Sequence, residues 1–389
     1  MMTPIFSTDA IERSQHLTHL IRDDIVNAGG AIPFSYFMSR ALYTPVYGYY
    51  MADNTKLGSA GDFLTAPEIS PLLAEALAKQ CQSILATISS GDILEVGAGT
   101  GVLAVELLLA LERENSVPAH YFIFDISPDC RRRQKELLTT RCPHLLSCVV
   151  WLEVLPATPI QGVIIANEVL DALPVDCFEI TENGCQERGV AWEDDHFVWK
   201  CFPFRHSERS EESLHWHKIL RFAQDDNIGY RSEIHRSISD WIRSVSTSLD
   251  KGVIFLIDYG YPRKEYYHPD RSMGTLMCYC QHQRSDNPFD YVGLQDITAH
   301  VDFTLVIESA VAAGCSLAGF TTQAGFLLSS GLIEKNGKES AVDQFRYATH
   351  IKKLMMPHEM GEAIKVMALS KQYDVLLAGF DFQDRRWDL

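Results

Sequence analysis

Five short, almost wholly apolar runs separated by helical stretches constrain the fold of this chain more than any other feature. They are DILEVG (92–97), YFIFDI (121–126), CVVWL (148–152), GVIIAN (162–167) and GVIFLIDY (252–259); VLLAGF (375–380) reads as a sixth. A strand that alternates apolar and polar residues has one wet face, whereas a strand apolar throughout must be covered on both. GVLAVELLLALERE and PDCRRRQKELLTTR, which follow the first two runs, have helical character. This alternation predicts an α/β, Rossmann-like parallel sheet with helices on both faces.

A chain of 389 residues has room for two or three domains, or for one large core with insertions. The expected division puts the core at 91–173 and 251–389. Residues 1–90 form an N-terminal helical and aromatic segment packed on that core, and 174–250 an inserted hairpin and helix. A substrate lobe is expected near 260–310, where a long departure rich in Tyr, His and Asp interrupts the alternation. Ile11, Leu17, Leu20, Ile21 and Ile25 recur at helical spacing, so 9–28 reads as an amphipathic helix ending at Gly29 and Gly30. Residues 205–229 are polar and without a clean period, and read as a surface insert resembling the translated palindromic repeats of some bacterial reading frames. Its His206, His215 and His217 are explained by solvation, and the ten cysteines show no C-x-x-C pair, so no metal site is expected.

The net charge of −17 repels a phosphate backbone, which disfavours nucleic acid and favours basic peptides or cationic small molecules as partners. No apolar run approaches the ~20 residues of a membrane helix. The N-terminus lacks a cationic start followed by an apolar block, so a cytoplasmic location is expected for a bacterial chain, and a mitochondrial one for a eukaryotic chain.

The sharpest local signal is ILEVGAGTGVLAVELL, a strand running through Gly97, Gly99 and Gly101 straight into a helix. Glycines there allow a tight turn and let backbone N–H groups approach a ligand at the helix N-terminus. A dinucleotide fingerprint would place its third glycine at Val102. The observed spacing, with Glu95 two residues before Gly97, favours S-adenosylmethionine over NAD. Asp125, ending the second strand, is placed to accept adenosine ribose hydroxyls, and Ser127 before Pro128 caps the next helix better than it does. The fourth strand delivers Asn167, Glu168 and Asp171 where strand ends open onto the crevice of a doubly wound sheet. Asp171 reads equally as a helix cap. Glu168 reads as a carboxylate beside the methyl donor, holding a cationic nucleophile such as a guanidinium or accepting its proton. Thr65 and Glu68 have the form of a capping box, which leaves Gly61, Asp62 and Phe63 without a structural reason.

Together the motifs YGYY (47–50), GDFLTAPEIS (61–70), LEVGAGTG (94–101), NEVLDALPV (167–175), DYGYP (258–262), GTLMCYCQH (274–282) and DITAHVDFT (296–304) resemble one family. It is the MidA-like class I methyltransferases, whose eukaryotic members include the mitochondrial arginine methyltransferase of complex I assembly. The resemblance runs from about residue 20 to 380, in the family's order, with 205–229 as an extra insertion and Asp125 where the family usually has Glu. It implies a seven-stranded sheet with a smaller added lobe. It also implies S-adenosyl-L-methionine held by Gly97–Gly101, Asp125 and the Gly61-Asp62-Phe63 segment.

The reaction expected is methyl transfer to a protein side chain, arginine above all, with Glu168, Asp171 and Asp258 as the acidic clamp and Tyr259 shaping the wall. His300 and Asp302 read either as part of a lid or as a satisfied His–Asp pair. Two other readings stay open: an assembly factor that binds the cofactor without transfer, and an NAD-dependent oxidoreductase.

Overall fold

The computed structural model describes residues 4–52, 65–88, 91–203, 228–331, 341–374 and 376–389. All five apolar runs form strands: β1 (Asp92–Val96), β2 (Tyr121–Phe124), β3 (Val149–Leu152), β4 (Ile160–Asn167) and β5 (Leu249–Tyr261). Two more, β6 (Ser316–Thr322) and β7 (Ile364–Lys371), complete a hydrogen-bonded path in the order β6-β7-β5-β4-β1-β2-β3. β1 to β5 pair in parallel, and β7 runs antiparallel to both β5 and β6. Val301–Asp302 adds a two-residue strand beside the end of β5.

The sixth run departs from expectation. Its first residue lies outside the described ones, and Ala378–Phe380 is a single 3-10 turn. Leu377 and Phe380 are its buried anchors, three residues apart, while Leu376 stands in solvent. Burial at that spacing belongs to a helical turn, not to a pleat.

Successive residues of each central strand serve opposite faces. Ile93, Val163, Ile165, Phe255 and Ile257 pack under α3 (Leu72–Leu85) and α4 (Val102–Arg113). Leu94, Ile164, Ala166, Ile254 and Leu256 pack under α6 (Arg236–Thr247) and α7 (Phe303–Ala312). α5 (Pro128–Arg141) links β2 to β3 and is capped by Ser127, which accepts from the Cys130 amide.

The N-terminal ninety residues do not pack as one piece. α1 (Thr8–Asn27) and α2 (Phe34–Tyr43) bury Leu17, Ile21, Ile25, Phe34 and Phe37 against a separate apolar cluster that includes Val175, Val190, Phe197 and Ile297. Of the described residues in that stretch, Ala66, α3 and Ile88 join the sheet instead. Ile11, counted on the buried face of α1, is exposed. The lobe is built from strands at Ile32–Pro33, Asp176–Thr181, Gly184–Glu193, His196–Pro203 and Arg231–Ile234. A small sheet of Met277–Cys280, Gln283–Ser285 and Asp296–Thr298 completes it. The region near 260–310 is thus largely ordered secondary structure. Of the insert at 205–229, residues 205–227 lie outside the described residues, including all three histidines.

Among the described residues, no helix is long and apolar enough to cross a membrane.

Candidate active site

The order of strands reverses between β1 and β4, and there a pocket opens at their carboxyl ends. Ligands of open α/β sheets bind at such reversals, because the loops leaving the two strands diverge and expose a crevice. One wall is the turn after β1. Gly97, Gly99 and Gly101 have φ of 70°, 55° and 86°, left-handed values that side chains rarely adopt. A Cβ on Gly97 would lie 2.7 Å from Val169 Cγ2, and one on Gly101 3.1 Å from Gln134 Cα. The loop therefore packs tightly against both neighbouring segments.

Asp125 sits beneath this loop. Its carboxylate accepts from the amides of Gly99 (3.2 Å) and Ser127 (2.9 Å) and from Gln134 Nε2 (2.9 Å). It thus ties β2 to the glycine turn while still lining the pocket. Gln134 also donates to the Gly99 carbonyl and accepts from Trp151 Nε1. Nothing in the sequence singled out Gln134, since its partners are brought together only by packing. Glu95 lies on the pocket floor, 2.6 Å from the Tyr121 hydroxyl, and burial pushes its carboxyl up to about 7.

The expected capping box does not form. Thr65 makes no side-chain cap, and Glu68 instead takes a 2.9 Å hydrogen bond from the Thr100 hydroxyl, reaching across the pocket to the glycine loop. Gly61, Asp62 and Phe63 lie outside the described residues.

The opposite wall is the turn after β4. Glu168 has φ of 52°, a strained value for a non-glycine residue. Its amide is held by the Ile257 carbonyl, and its carboxylate accepts from the Ala66 amide and Asn167 Nδ2 at 3.4 and 3.3 Å. Burial, then the nearby Asp171, pushes it up to about 8. Among the described residues no cationic side chain pairs with Glu168 or Asp171. Among the described residues nothing hydrogen-bonds the buried Asn167 Oδ1 or Glu68 Oε2, and both residues line the pocket. Such orphaned acceptors are costly unless a ligand supplies donors.

Asp258, expected in the acidic clamp, is placed differently. It is fully buried, and Oδ2 accepts from the amides of Val169, Leu170 and Asp171 at 3.1, 2.8 and 3.3 Å. Oδ1 takes the Tyr259 amide at 2.8 Å. With four donors engaged it props the strained turn from below and does not line the pocket. Asp171 is also buried beside it and likewise not in the pocket lining; burial and Asp258 push its carboxyl well up. No helix follows for Asp171 to cap. The Tyr259 ring stacks on His300, 5.9 Å between centroids.

His300 and Asp302 do not pair. The His300 carbonyl accepts from His235 Nε2. Asp302 caps α7 through the Leu305 amide and holds Arg263 Nε at 3.0 Å.

A parallel sheet whose last strand is inserted antiparallel, with a glycine cradle and carboxylates across from it, defines a class I S-adenosylmethionine-dependent methyltransferase. The uninterrupted 3-2-1-4-5-6 order of the dinucleotide fold is not the one observed. Residues 72–321 match the family described as "Putative S-adenosyl-L-methionine-dependent methyltransferase", and the chain belongs to that family, the MidA-like methyltransferases. A COG1565 superfamily member from Burkholderia thailandensis, solved bound to S-adenosyl-homocysteine, is 40% identical over 100% of both chains with a TM-score of 0.93. The mitochondrial protein arginine methyltransferase NDUFAF7 of Danio rerio is 28% identical over 84% of this chain and 78% of its own length. That of Xenopus laevis is 27% identical over 91% and 84%. The cofactor is S-adenosyl-L-methionine, which displaces the NAD reading.

The residues present fit that cofactor: a cradle from which a Cβ is excluded, an acid at the end of β2, and orphaned acceptors facing the cavity.

Proposed function

We propose that this enzyme methylates arginine side chains of a protein, with Glu168 as the carboxylate that holds the guanidinium and takes its proton. The observation that carries this reading is Glu168 itself. It is a pocket-lining acid on a strained turn, without a cationic partner, whose burial favours the neutral form until a cation arrives. A group kept near neutrality in this way suits proton acceptance at physiological pH. The two relatives above, named protein arginine methyltransferases, support the same substrate class.

In this reading Gly97, Gly99, Gly101, Glu95, Asp125 and Asn167 hold the cofactor, which supplies a methyl group already activated on a sulfonium. Asp258 keeps the Glu168 turn rigid through the amides of Val169, Leu170 and Asp171. Glu168 orients a guanidino nitrogen toward the methyl carbon. As the N–C bond forms, the methyl–sulfur bond would break with its electron pair passing to sulfur, leaving S-adenosyl-homocysteine, and that nitrogen would give up one proton to the Glu168 carboxylate.

Radiolabelled cofactor incubated with the enzyme and host lysate, followed by acid hydrolysis, tests the assignment. Label should appear in methylarginine, and Glu168→Gln should lower it about 10²-fold or more while S-adenosyl-homocysteine affinity stays within a few-fold. Label confined to lysine, or undiminished transfer by the variant, overturns it.

A further inference from the structure

Two tyrosines line the same pocket as Glu168. Tyr43 ends α2 and Tyr50 closes the YGYY turn; their rings stack at 5.6 Å between centroids and 17° between planes. Both hydroxyls are committed elsewhere. Tyr43 donates to the Ala172 carbonyl at 2.8 Å, four residues beyond Glu168, and Tyr50 to Asp296 Oδ1 at 2.9 Å. Asp296 is buried in the lobe, where its Oδ1 also receives the Ile297 amide. The Ala299 amide donates to the Asp171 carbonyl at 2.9 Å, so the segment carrying Asp296 is fastened to the Glu168 turn.

With their hydroxyl protons spent on these acceptors, the rings offer the pocket aromatic surface rather than donors. A flat π surface in the same pocket as a carboxylate matches a planar, delocalised cation that stacks and is weakly hydrated; a compact, strongly hydrated ammonium gains less there. We propose that Tyr43 and Tyr50 form the wall on which the substrate guanidinium lies, and that Asp296 is the positioning residue that fixes it. This rests on the arginine reading for its biological meaning, but the wall itself is a claim about which cation binds.

The test is titration of the full chain, saturated with S-adenosyl-homocysteine, with methylguanidinium and separately with methylammonium, followed by NMR of the tyrosine ring signals. Methylguanidinium should bind at least tenfold tighter than methylammonium. Tyr50→Leu and Tyr43→Leu should weaken it about tenfold, with S-adenosyl-homocysteine affinity within twofold of wild type. Tyr50→Phe, which keeps the ring and frees it from Asp296, should fall between. Asp296→Asn, still able to accept from Tyr50, should bind nearly as wild type, whereas Asp296→Ala should resemble Tyr50→Phe. Equal binding by wild type and the leucine variants, no discrimination between the two cations, or a parallel loss of S-adenosyl-homocysteine affinity each overturns the proposal. In the lysate assay, label outside arginine would sink the substrate assignment while leaving this result standing.

Discussion

Glu168 is where local strain and buried charge meet. A left-handed non-glycine residue persists only where its surroundings over-determine it, and here the Ile257 carbonyl and the Asp258 carboxylate do so from β5. The strain aims the side chain into the crevice, and burial holds its titration near neutrality. Since binding a cation requires the ionised form, kcat/KM should rise with pH and level off above about 8, with Glu168→Gln losing that inflection along with turnover. A flat profile from pH 6 to 9 in the wild type would remove Glu168 as the titrating group. Asp258 shows why residue type alone misassigns roles. An acid at the end of a strand reads as a ligand group in sequence, yet its four amide donors are visible only once the 168–171 turn is folded over it.

At the scale of elements, three segments distant in sequence converge through polar clamps. Arg263, just past the end of β5, is buried and pairs with Asp302 at the start of α7 and with both oxygens of Glu308 further along the same helix. Asp302 has two tasks, capping the helix and holding that guanidinium. Asp302→Ala should therefore cost about 2–4 kcal/mol, as the lost cap and a partly uncompensated buried cation combine. Chemical denaturation should show this, with S-adenosyl-homocysteine affinity changed far less. A loss under 1 kcal/mol would mean that Glu308 alone satisfies Arg263. The DITAHVDFT motif thus divides its residues. Asp296 serves the pocket wall, the His300 carbonyl anchors His235, and Asp302 staples the lobe connection to the sheet. Its spacing in the chain carried no hint of that division.

The whole molecule gathers carboxylates around the crevice, and this has a consequence for stability. Glu95 and Glu168 have folded pKa values of about 7 and about 8, above the usual carboxylate range. Between about pH 4.5 and 8 the folded chain holds protons that the unfolded chain has released, so stability falls as pH rises through that window. Thermal scans of the cofactor-free protein should give a lower Tm at pH 8.5 than at pH 6. Glu168→Gln should lessen the fall and be the more stable protein at the higher pH. A Tm that rises from pH 6 to 8.5 would contradict this charge distribution. The same acids make the crevice a natural seat for a cationic substrate, so the arrangement that destabilises the empty enzyme is the one that recruits its ligand.

The apolar runs determined β1 to β5 and their burial on both faces, because a strand with no polar side can sit only inside a sandwich of helices. The glycine spacing after β1 and the acids after β2 and β4 likewise placed the crevice, since backbone sterics and strand ends are local properties. β6 and β7 escaped notice. The run at 364–371 has lysines at its second and last positions, and Lys365 is buried only because its stem packs within the antiparallel insertion and its amine reaches the Glu362 carbonyl. Tertiary structure alone decided which acid faces the pocket and which supports the turn, that Glu68 bonds Thr100 rather than its own helix, and that Tyr43 and Tyr50 stack in the pocket Glu168 lines. Each of these depends on which donors arrive from segments up to 246 residues away, as in the Tyr50–Asp296 bond. A hydrogen bond between remote residues leaves no periodicity in the chain.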